Sequence, residues 1–527
     1  MRLFKLRRGE KAVQEQVSES ETTYITTYPG IRIIPFTEEY RVIERYPLIE
    51  PFAYAVIGEH LETGNYLYFV DEPSLTGRAY RVYKTLLDYL LIEVPEIKVE
   101  AVSSYRELLE EMYVHVENII RKYKLVIGEL SDWEWATVLY YIIRDLIGYG
   151  PIEPVMRDDN IEDVSCDGVG KPIYVWHRKY ESLPTNIVFE SEEALDEFVT
   201  KLVHKSGRSV SVATPIVDAQ LPDGSRLCVT YKREVSVEGS TFTIRKFRRK
   251  PFTFVELIQY GSISPEIAAY FWLLLEHKRS FLVIGVTGSG KTTLLNALAT
   301  FIPPYMKIIT VEEVPEINLP HEHWVRLVSR SAFAASGEKV AEITLFDLVK
   351  ATLRMRPDYI IVGEIRGEEA FVLFQATSTG HGGISTMHAE DFHSAVRRLE
   401  SPPMNIPPHY IPTMNVMLHI KRIKLGDRTV RRVVEVAEVI SDREFNTVFK
   451  WNPRTDEHTS FIEKSKLLRD ICEETGYDFT ELLTEVYTRK RIIDWMVRNN
   501  ISDFSDVAKV VTQFYRRREK VLKLVKL

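Results

Sequence analysis

Cysteine is scarce in this sequence, and long apolar runs are absent. The three cysteines, Cys166, Cys228 and Cys472, lie far apart and form no CxxC pair, which argues against a disulfide framework and a cysteine-built zinc site. Two stretches lack Asp, Glu, Lys and Arg, at residues 371–389 and 401–420. The first is rich in Gly, Ser, Thr and His and the second is broken by prolines, so neither has the composition of a transmembrane helix.

Signal-peptide character and excess basic charge are also lacking. No apolar segment follows the basic start MRLFKLRRGEK, as it would in a secretory signal. We therefore expect a cytoplasmic protein that is peripherally associated with the cytoplasmic membrane. The 68 Lys and Arg against 75 Asp and Glu give a net charge of −7, which argues against a protein whose main task is to coat nucleic acid.

What the sequence does contain is enough material for several domains. A chain of 527 residues that is 45% hydrophobic predicts about three or four domains with real cores. Its patterns predict an α+β domain at 1–130 that faces a partner or the membrane, a second α+β domain at 131–250, a linker at 251–264, an α/β domain at 265–450 and a helical region at 451–527. In the α/β domain the strands FLVIG, KIITV, YIIVG and GISTMH alternate with helical segments, which predicts a parallel sheet.

The segment FLVIGVTGSGKTTLLNAL carries the sharpest chemical signal, because an apolar strand leads into a GxxxxGK[ST] loop and a helix follows. Gly288 and Gly290 let the backbone fold around a phosphate, and the helix N-terminus adds partial positive charge. We expect Lys291 to bridge the β- and γ-phosphates of ATP and the Thr292 hydroxyl to ligate Mg²⁺. The predicted nucleotide-binding residues are Gly285, Thr287, Gly288, Ser289, Gly290, Lys291, Thr292 and Thr293.

Acidic residues follow two of the predicted strands. Glu364 comes directly after the strand in RPDYIIVGEIRG, and parallel strands present functional groups at their carboxyl ends, so we expect it near Mg²⁺ or the attacking water. Glu312 and Glu313 end the strand in IITVEEVPEINL, with Glu316 close by, and a carboxylate here can polarise water or bind Mg²⁺ through water. The alternatives are a surface helix cap for Glu364 and a solvated acidic turn for the others.

Two histidines flank the predicted strand in STGHGGISTMHA. His388 ends this strand, and we expect it to donate a hydrogen bond to the γ-phosphate of ATP. His381 precedes the same strand, and for this residue a structural role is an equal alternative.

The four segments GVTGSGKTT, TVEEVPE, RMRPDYIIVGEIRG and STGHGGISTMHA, in this order, resemble the Walker A, Asp box, Walker B and His box of the type II/type IV secretion ATPase superfamily. Upstream, GYGPIEPVMRDDNIEDVSCDG, GRSVSVATPIVDAQLPDGSRL and FTIRKF also resemble that family, so the likeness covers about residues 140–420. The phrase EDVSCDGVGKPIYVWHRKYESL and the helical C-terminus are similar to the archaeal pilus, archaellum and secretion branch. Two departures stand out: no tetracysteine element is present, and the usual Glu-Asp of the Asp box is Glu312-Glu313.

The resemblance implies a RecA-like motor domain preceded by α+β N-terminal domains and followed by a helical C-terminal region. It implies a homo-oligomeric ring, commonly a hexamer, in which basic residues from the N-terminal side complete the ATP site. The matching positions are Arg226 and Arg245, with Arg330 as a third candidate; the alternatives are a turn-stabilising salt bridge for Arg226 and a solvated basic run for Arg245. Glu364 and either Glu312 or Glu313 would then position metal and water.

The function implied is MgATP hydrolysis that powers assembly of a type IV pilus-like filament, an archaellum or a type II secretion pseudopilus. The implied partner is a polytopic membrane platform protein, with pilin-like subunits as indirect partners and no direct contact with nucleic acid. Three alternatives remain: a type IV secretion motor that moves protein or DNA, a nucleic-acid translocase suggested by the RKFRRK run and the basic tail, and a nucleotide-gated scaffold.

Overall fold

The structure, a computed structural model, describes residues 30–75, 77–93, 105–247, 250–330, 341–426 and 428–525. The basic start MRLFKLRRGEK lies outside the described residues. The chain divides into two compact units, Met1–Phe247 and Arg248–Leu527. None of the helices in the described ranges combines the length and apolar character that crossing a membrane requires.

The first unit is built on one ten-stranded sheet in the order β2-β3-β4-β7-β6-β5-β10-β9-β8, with β1 paired to β7. Its strands are β1 (Ile31–Ile33), β2 (Tyr40–Ile49), β3 (Ala53–His60), β4 (Tyr66–Asp71), β5 (Ile161–Cys166), β6 (Pro172–His177), β7 (Glu181–Phe189), β8 (Ile216–Gln220), β9 (Arg226–Thr230) and β10 (Thr241–Arg245). Its α-helices are α1 (Gly77–Ile92), α2 (Tyr105–Tyr123), α3 (Asp132–Ile142), α4 (Glu153–Arg157) and α5 (Glu192–Lys205).

The two regions for which we predict separate N-terminal domains share this sheet. Tyr68 of β4 pairs with Thr185 of β7, which joins strands from either side of residue 130. The hydroxyls of Tyr46 and Tyr68 each donate a 2.7 Å hydrogen bond to the buried carboxylate of Asp158. A buried carboxylate needs such donors, so this contact joins the two halves of the unit.

The second unit has a nine-stranded sheet in the order β13-β12-β14-β15-β11-β16-β17-β18-β19. Its strands are β11 (Phe281–Gly285), β12 (Ile308–Glu312), β13 (Trp324–Val328), β14 (Tyr359–Val362), β15 (Gly382–His388), β16 (Val416–Leu425), β17 (Arg428–Val439), β18 (Phe445–Asn452) and β19 (Glu457–Ser460). Its α-helices are α6 (Phe254–Gln259), α7 (Pro265–Glu276), α8 (Lys291–Ala299), α9 (Leu345–Thr352), α10 (Glu369–Ser378), α11 (Phe392–Glu400), α12 (Lys466–Thr475), α13 (Phe479–Arg498), α14 (Phe504–Arg516) and α15 (Arg518–Val525).

The predicted parallel α/β sheet is confirmed. From β13 to β16 all neighbouring strands are parallel, whereas β16 to β19 are antiparallel. Strands β11, β12 and β14 are buried along their whole length, because helices cover both faces of a parallel sheet and leave no polar side. Two apolar clusters lie on the two faces, which is the layered arrangement of the predicted RecA-like domain.

The stretches for which we predict a linker and a separate helical end lie in the core of this unit. Residues 251–264 contain α6, where Phe254 and Val255 are fully buried. The C-terminal helices belong to the same apolar cluster as β11 and α8, and they cover α7, whose residues 267–275 are all buried. Arg489 of α13 is buried beside Glu276 of α7, with 2.5 Å between guanidinium and carboxylate. The region from 451 also includes β19 before its helices begin.

Candidate functional site

The carboxyl ends of the parallel strands form one edge of the second sheet. Gly285, the last residue of β11, is the register partner of His388, the last residue of β15. Val362, which precedes Gly363 and Glu364, is level with Ser385 of β15 and with Val311 of β12. The predicted P-loop, histidine and acidic residues therefore meet at one edge, as the topology of parallel strands requires.

The P-loop runs from the end of β11 to the start of α8. The N–H of Ser289 donates to the Val286 carbonyl at 3.3 Å, and Gly288 has φ +72°, which is the geometry of a type II turn with glycine at its third position. Gly290 has φ +94° and caps α8. The loop therefore ends at free helix N–H groups, which form an anion site.

The other predicted loop residues differ in exposure. Thr287 is exposed, and Thr292 and Thr293 are half-buried in the first turn of α8. Ser289 is fully buried, and its hydroxyl has no hydrogen-bond partner among the described residues. A side chain at Gly285 would overlap the Ile420 carbonyl oxygen and the Ser289 hydroxyl, so the backbone of β16 passes close to the loop.

Lys291, His388 and Glu364 form a continuous polar chain. The Lys291 ammonium lies 3.3 Å from Nδ1 of His388, and Nε2 of the same ring lies 3.0 Å from Oε1 of Glu364. Burial lowers the pKa of His388, and the charge of Lys291 adds to this effect. Burial also lowers the pKa of Lys291, while the Glu364 and Glu316 carboxylates oppose that shift. An ammonium donates only, so a neutral His388 accepts from Lys291 and donates to Glu364.

The acidic residues after β12 have three different environments. The Glu312 carboxylate is buried and accepts hydrogen bonds from the backbone N–H groups of Glu316 (2.8 Å) and Ile317 (2.9 Å); burial raises its pKa to about 7. The Glu313 side chain is exposed and forms an ion pair with Arg366. Glu316 is exposed, and its charge acts on Lys291. Glu312 thus anchors the turn that carries Glu316 towards the P-loop.

Thr292 and Glu364 are the predicted Mg²⁺ ligands. Thr292 is half-buried in the first turn of the P-loop helix, and the Glu364 side chain is 36% exposed at the neighbouring strand end. Hydroxyl and carboxylate oxygens are the hard ligands that Mg²⁺ prefers, with phosphate oxygens and water completing its shell. The side chains present at this edge therefore fit the ion.

Arg226 and Arg245 belong to the first unit, where they lie opposite each other on adjacent strands β9 and β10. The Arg226 guanidinium pairs with Asp218 at 2.5 Å and that of Arg245 with Asp163 at 3.1 Å. Both side chains are about half exposed, and exposed pairs of this kind are weak. The structure thus brings the two predicted arginines together on one face.

Two further candidates lie away from the carboxyl edge. His381 precedes β15, and its Nδ1 lies 3.2 Å from the Ala376 carbonyl oxygen at the end of α10. It is separated from His388 by a seven-residue strand, roughly 20 Å along the sheet. The backbone of Arg330 pairs with Ile343, and its guanidinium donates to the Ala341 carbonyl.

Sequence reasoning missed two arginines at this edge. Arg398 of α11 donates from Nη1 to the His388 carbonyl oxygen at 2.9 Å. Arg431 of β17 donates from Nε to the Gly288 carbonyl oxygen at 3.1 Å. No local motif marks Arg398. The run KRIKLGDRTVRR is a signal for Arg431, because a glycine turn between alternating residues predicts a hairpin, but only the sheet order places that hairpin beside β11.

A glycine-rich phosphate loop at the carboxyl edge of a parallel sheet defines the P-loop class of nucleotide-binding folds. Within this class, the sequence model of the family described as "Type II/IV secretion system protein" matches residues 146–523. The match spans well over half of the chain, and the chain belongs to this family.

This chain is also similar to individual proteins. An uncharacterized protein of Methanocaldococcus jannaschii is 36% identical over 499 residues, which cover 90% of this chain and 89% of that protein. A putative conjugal transfer protein of Mycobacterium tuberculosis is 33% identical over 323 residues, covering 58% of this chain and 89% of its own length. Among solved structures, the Legionella pneumophila ATPase DotB covers 69% of this chain and 91% of its own, at 19% identity and a TM-score of 0.41.

Proposed function

We propose that this protein is an ATPase that hydrolyses MgATP and uses the energy to assemble a type IV pilus-like filament, an archaellum or a type II secretion pseudopilus. The observation that carries the enzymatic part is the polar chain from Lys291 through His388 to Glu364 at the P-loop. Through the His388 ring, it links the Lys291 ammonium, which would bind phosphate, to the Glu364 carboxylate, which can act on the attacking water.

In this proposal the P-loop supplies binding. The free N–H groups at the start of α8 and the Lys291 ammonium hold the β- and γ-phosphates. Lys291 already lies near a loop oxygen, the Val286 carbonyl at 3.2 Å, so binding exchanges one oxygen ligand for another. Thr292 and Glu364 would hold Mg²⁺, which when bound neutralises phosphate charge.

Water positioning falls to the acidic side chains. Glu364 receives a hydrogen bond from His388 on one oxygen, and this fixes its orientation towards the P-loop. Glu316 is the residue of the Asp-box segment whose charge reaches Lys291. The sequence led us to expect Glu312 or Glu313 in this role beside Glu364. We propose Glu316 instead, because Glu312 is held by backbone N–H groups of its own turn and Glu313 by an ion pair with Arg366.

Arg226 and Arg245 are proposed to complete the site in a homo-oligomeric ring, a hexamer. Their present partners are carboxylates in exposed ion pairs, each worth about 0–1 kcal/mol, so a triphosphate can displace these carboxylates. An arginine that enters the site only when domains close can contribute about 10³–10⁵ in rate. Hydrolysis would then depend on domain placement.

The work is proposed to pass to a polytopic membrane platform protein and, through it, to pilin-like subunits. This part rests on the family and on the resemblance of EDVSCDGVGKPIYVWHRKYESL and the helical C-terminus to the archaeal branch. It implies a cytoplasmic protein at the membrane face. One specific observation favours a second candidate: the Mycobacterium relative bears the name of a conjugal transfer protein, which supports a type IV secretion motor that moves protein or DNA.

The test of ATPase function is phosphate release from MgATP by the purified full chain and by Lys291→Ala. We expect the variant to lose turnover by at least about 100-fold, because it loses the phosphate cation. The matched control is Lys278→Ala, which removes a lysine paired with Asp358 at the amino end of the sheet and should retain turnover. Absence of phosphate release from the unmodified ring would contradict the proposal.

A further inference from the structure

The β16–β17 hairpin lies against the P-loop at two points. β16 runs beside β11 up to the pair Ile284 and His419 and then continues beyond the end of that strand. The Ile420 carbonyl lies so close to Gly285 that no side chain fits there. On β17, a Cβ at Gly290 would come 3.3 Å from Cδ of Arg431. The hairpin therefore touches both the first and the last glycine of the loop.

Between these points, Arg431 holds one peptide unit of the loop. Its Nε donates to the Gly288 carbonyl oxygen at 3.1 Å, while the N–H of Ser289, in the same peptide unit, donates to Val286 at 3.3 Å. The C=O and N–H of a trans peptide point in opposite directions. One anchor on each side therefore fixes the orientation of this peptide.

This peptide is the one that most needs an anchor. Gly288 has φ +72°, and a side chain there would meet nothing within 4 Å, so neither sterics nor packing restrains it. Glycine has the largest backbone freedom of any residue. If the loop is already ordered before binding, no further backbone entropy is lost when the ligand binds.

We propose that Arg431 is a positioning residue that preorganises the P-loop for phosphate by holding the Gly288 carbonyl. Its consequence for turnover rests on the proposed ATPase function, whereas its effect on the loop does not. Arginine is specific for this task because Nε lies within the side chain: lysine keeps the charge but places a methylene where Arg431 has its donor.

The experiment compares the full chain with Arg431→Met, Arg431→Lys and Lys424→Met. Lys424 is exposed on the same hairpin, so its variant removes an equal charge from the same element. Hydrogen exchange of the P-loop peptide is measured without nucleotide, and KM and kcat are measured with MgATP. We expect both Arg431 variants to exchange faster in the loop and to raise KM about tenfold, with kcat changed less than about threefold. Lys424→Met should match the unmodified protein in both measurements.

Three outcomes decide the matter. Unchanged loop exchange and unchanged KM in Arg431→Met would overturn the proposal. Loop exchange and KM equal to those of the unmodified chain in Arg431→Lys would also overturn it, because a positive charge alone would then suffice. If Arg431→Met unfolds too readily to be assayed, Arg431→Lys decides the question. If the unmodified chain has no ATPase activity, the proposed function fails while the exchange measurement still tests the anchor.

Discussion

Nε2 of His388 lies 3.0 Å from Oε1 of Glu364. His388 is the last residue of β15, and Glu364 follows the neighbouring parallel strand, β14. Because Lys291 donates to the other ring nitrogen, the imidazole is the neutral tautomer with its proton on Nε2. The His388 imidazole thereby sets the positions of the Lys291 ammonium and the Glu364 carboxylate relative to each other.

This arrangement predicts that His388→Asn lowers kcat by about 10–100-fold, because Glu364 loses its donor, while ATP affinity falls by less than about fivefold. Single-turnover hydrolysis and binding of a fluorescent nucleotide separate the two effects. His381→Asn, at the other end of the same strand, is the matched control and should keep full activity. Equal effects of the two substitutions would show that the contact with Glu364 does not matter.

The acidic turn predicts a difference between neighbouring carboxylates. Glu316→Gln should reduce kcat by about 100-fold and retain ATP binding, since Glu316 is the one whose charge reaches Lys291. Glu322→Gln, an exposed carboxylate on the same connection, serves as the control and should leave steady-state phosphate release unchanged. A large loss of kcat in Glu313→Gln with none in Glu316→Gln would reverse our assignment.

Glu312 predicts a dependence of stability on pH. Burial raises its pKa from 4.5 to about 7, so the unfolded chain releases this proton at lower pH than the folded chain does. The wild type therefore loses stability as pH rises from about 4.5 to about 7, by roughly 1–3 kcal/mol from this group. Glu312→Gln has no such loss. The difference between its Tm and that of the wild type should therefore be a few degrees more positive at about pH 8 than at about pH 5.

Thermal melts at both pH values, with Glu313→Gln as the exposed control, check this prediction. A Tm difference for Glu312→Gln that stays constant or shrinks as pH rises would show that the folded carboxyl is already ionised at low pH.

The parallel part of the sheet in the second unit could be predicted from the sequence because its signal is local. The strands FLVIG, KIITV, YIIVG and GISTMH are short, continuously apolar and separated by helical segments, and parallel topology then sends their carboxyl ends to one edge. The burial of α6 and α7 under the C-terminal helices could not be predicted in this way. An apolar pattern shows that a helix face is buried, but it does not show which element covers that face. The pairing of β4 with β7 depends on residues more than 100 positions apart.

The site shows the same division. A motif spacing predicts Lys291 and Thr292, and a strand end predicts Glu364 and His388. The separate environments of Glu312, Glu313 and Glu316 depend on how the turn after β12 brings its backbone N–H groups to the Glu312 carboxylate. The spacing of residues in the sequence does not predict this contact. Arg431 reaches Gly288 across 143 residues, so only the order of strands in the sheet reveals it.

The most direct test of the central claim is the behaviour of Glu364→Gln in the assembled protein. The amide keeps the size of the side chain but removes the charge that orients water, so we expect nucleotide affinity within about threefold of wild type and a loss of turnover of at least about 100-fold. Binding by fluorescent nucleotide and phosphate release are measured on the same sample. Normal hydrolysis by Glu364→Gln would contradict the account, since the polar chain from Lys291 through His388 would then end at a residue the reaction does not need.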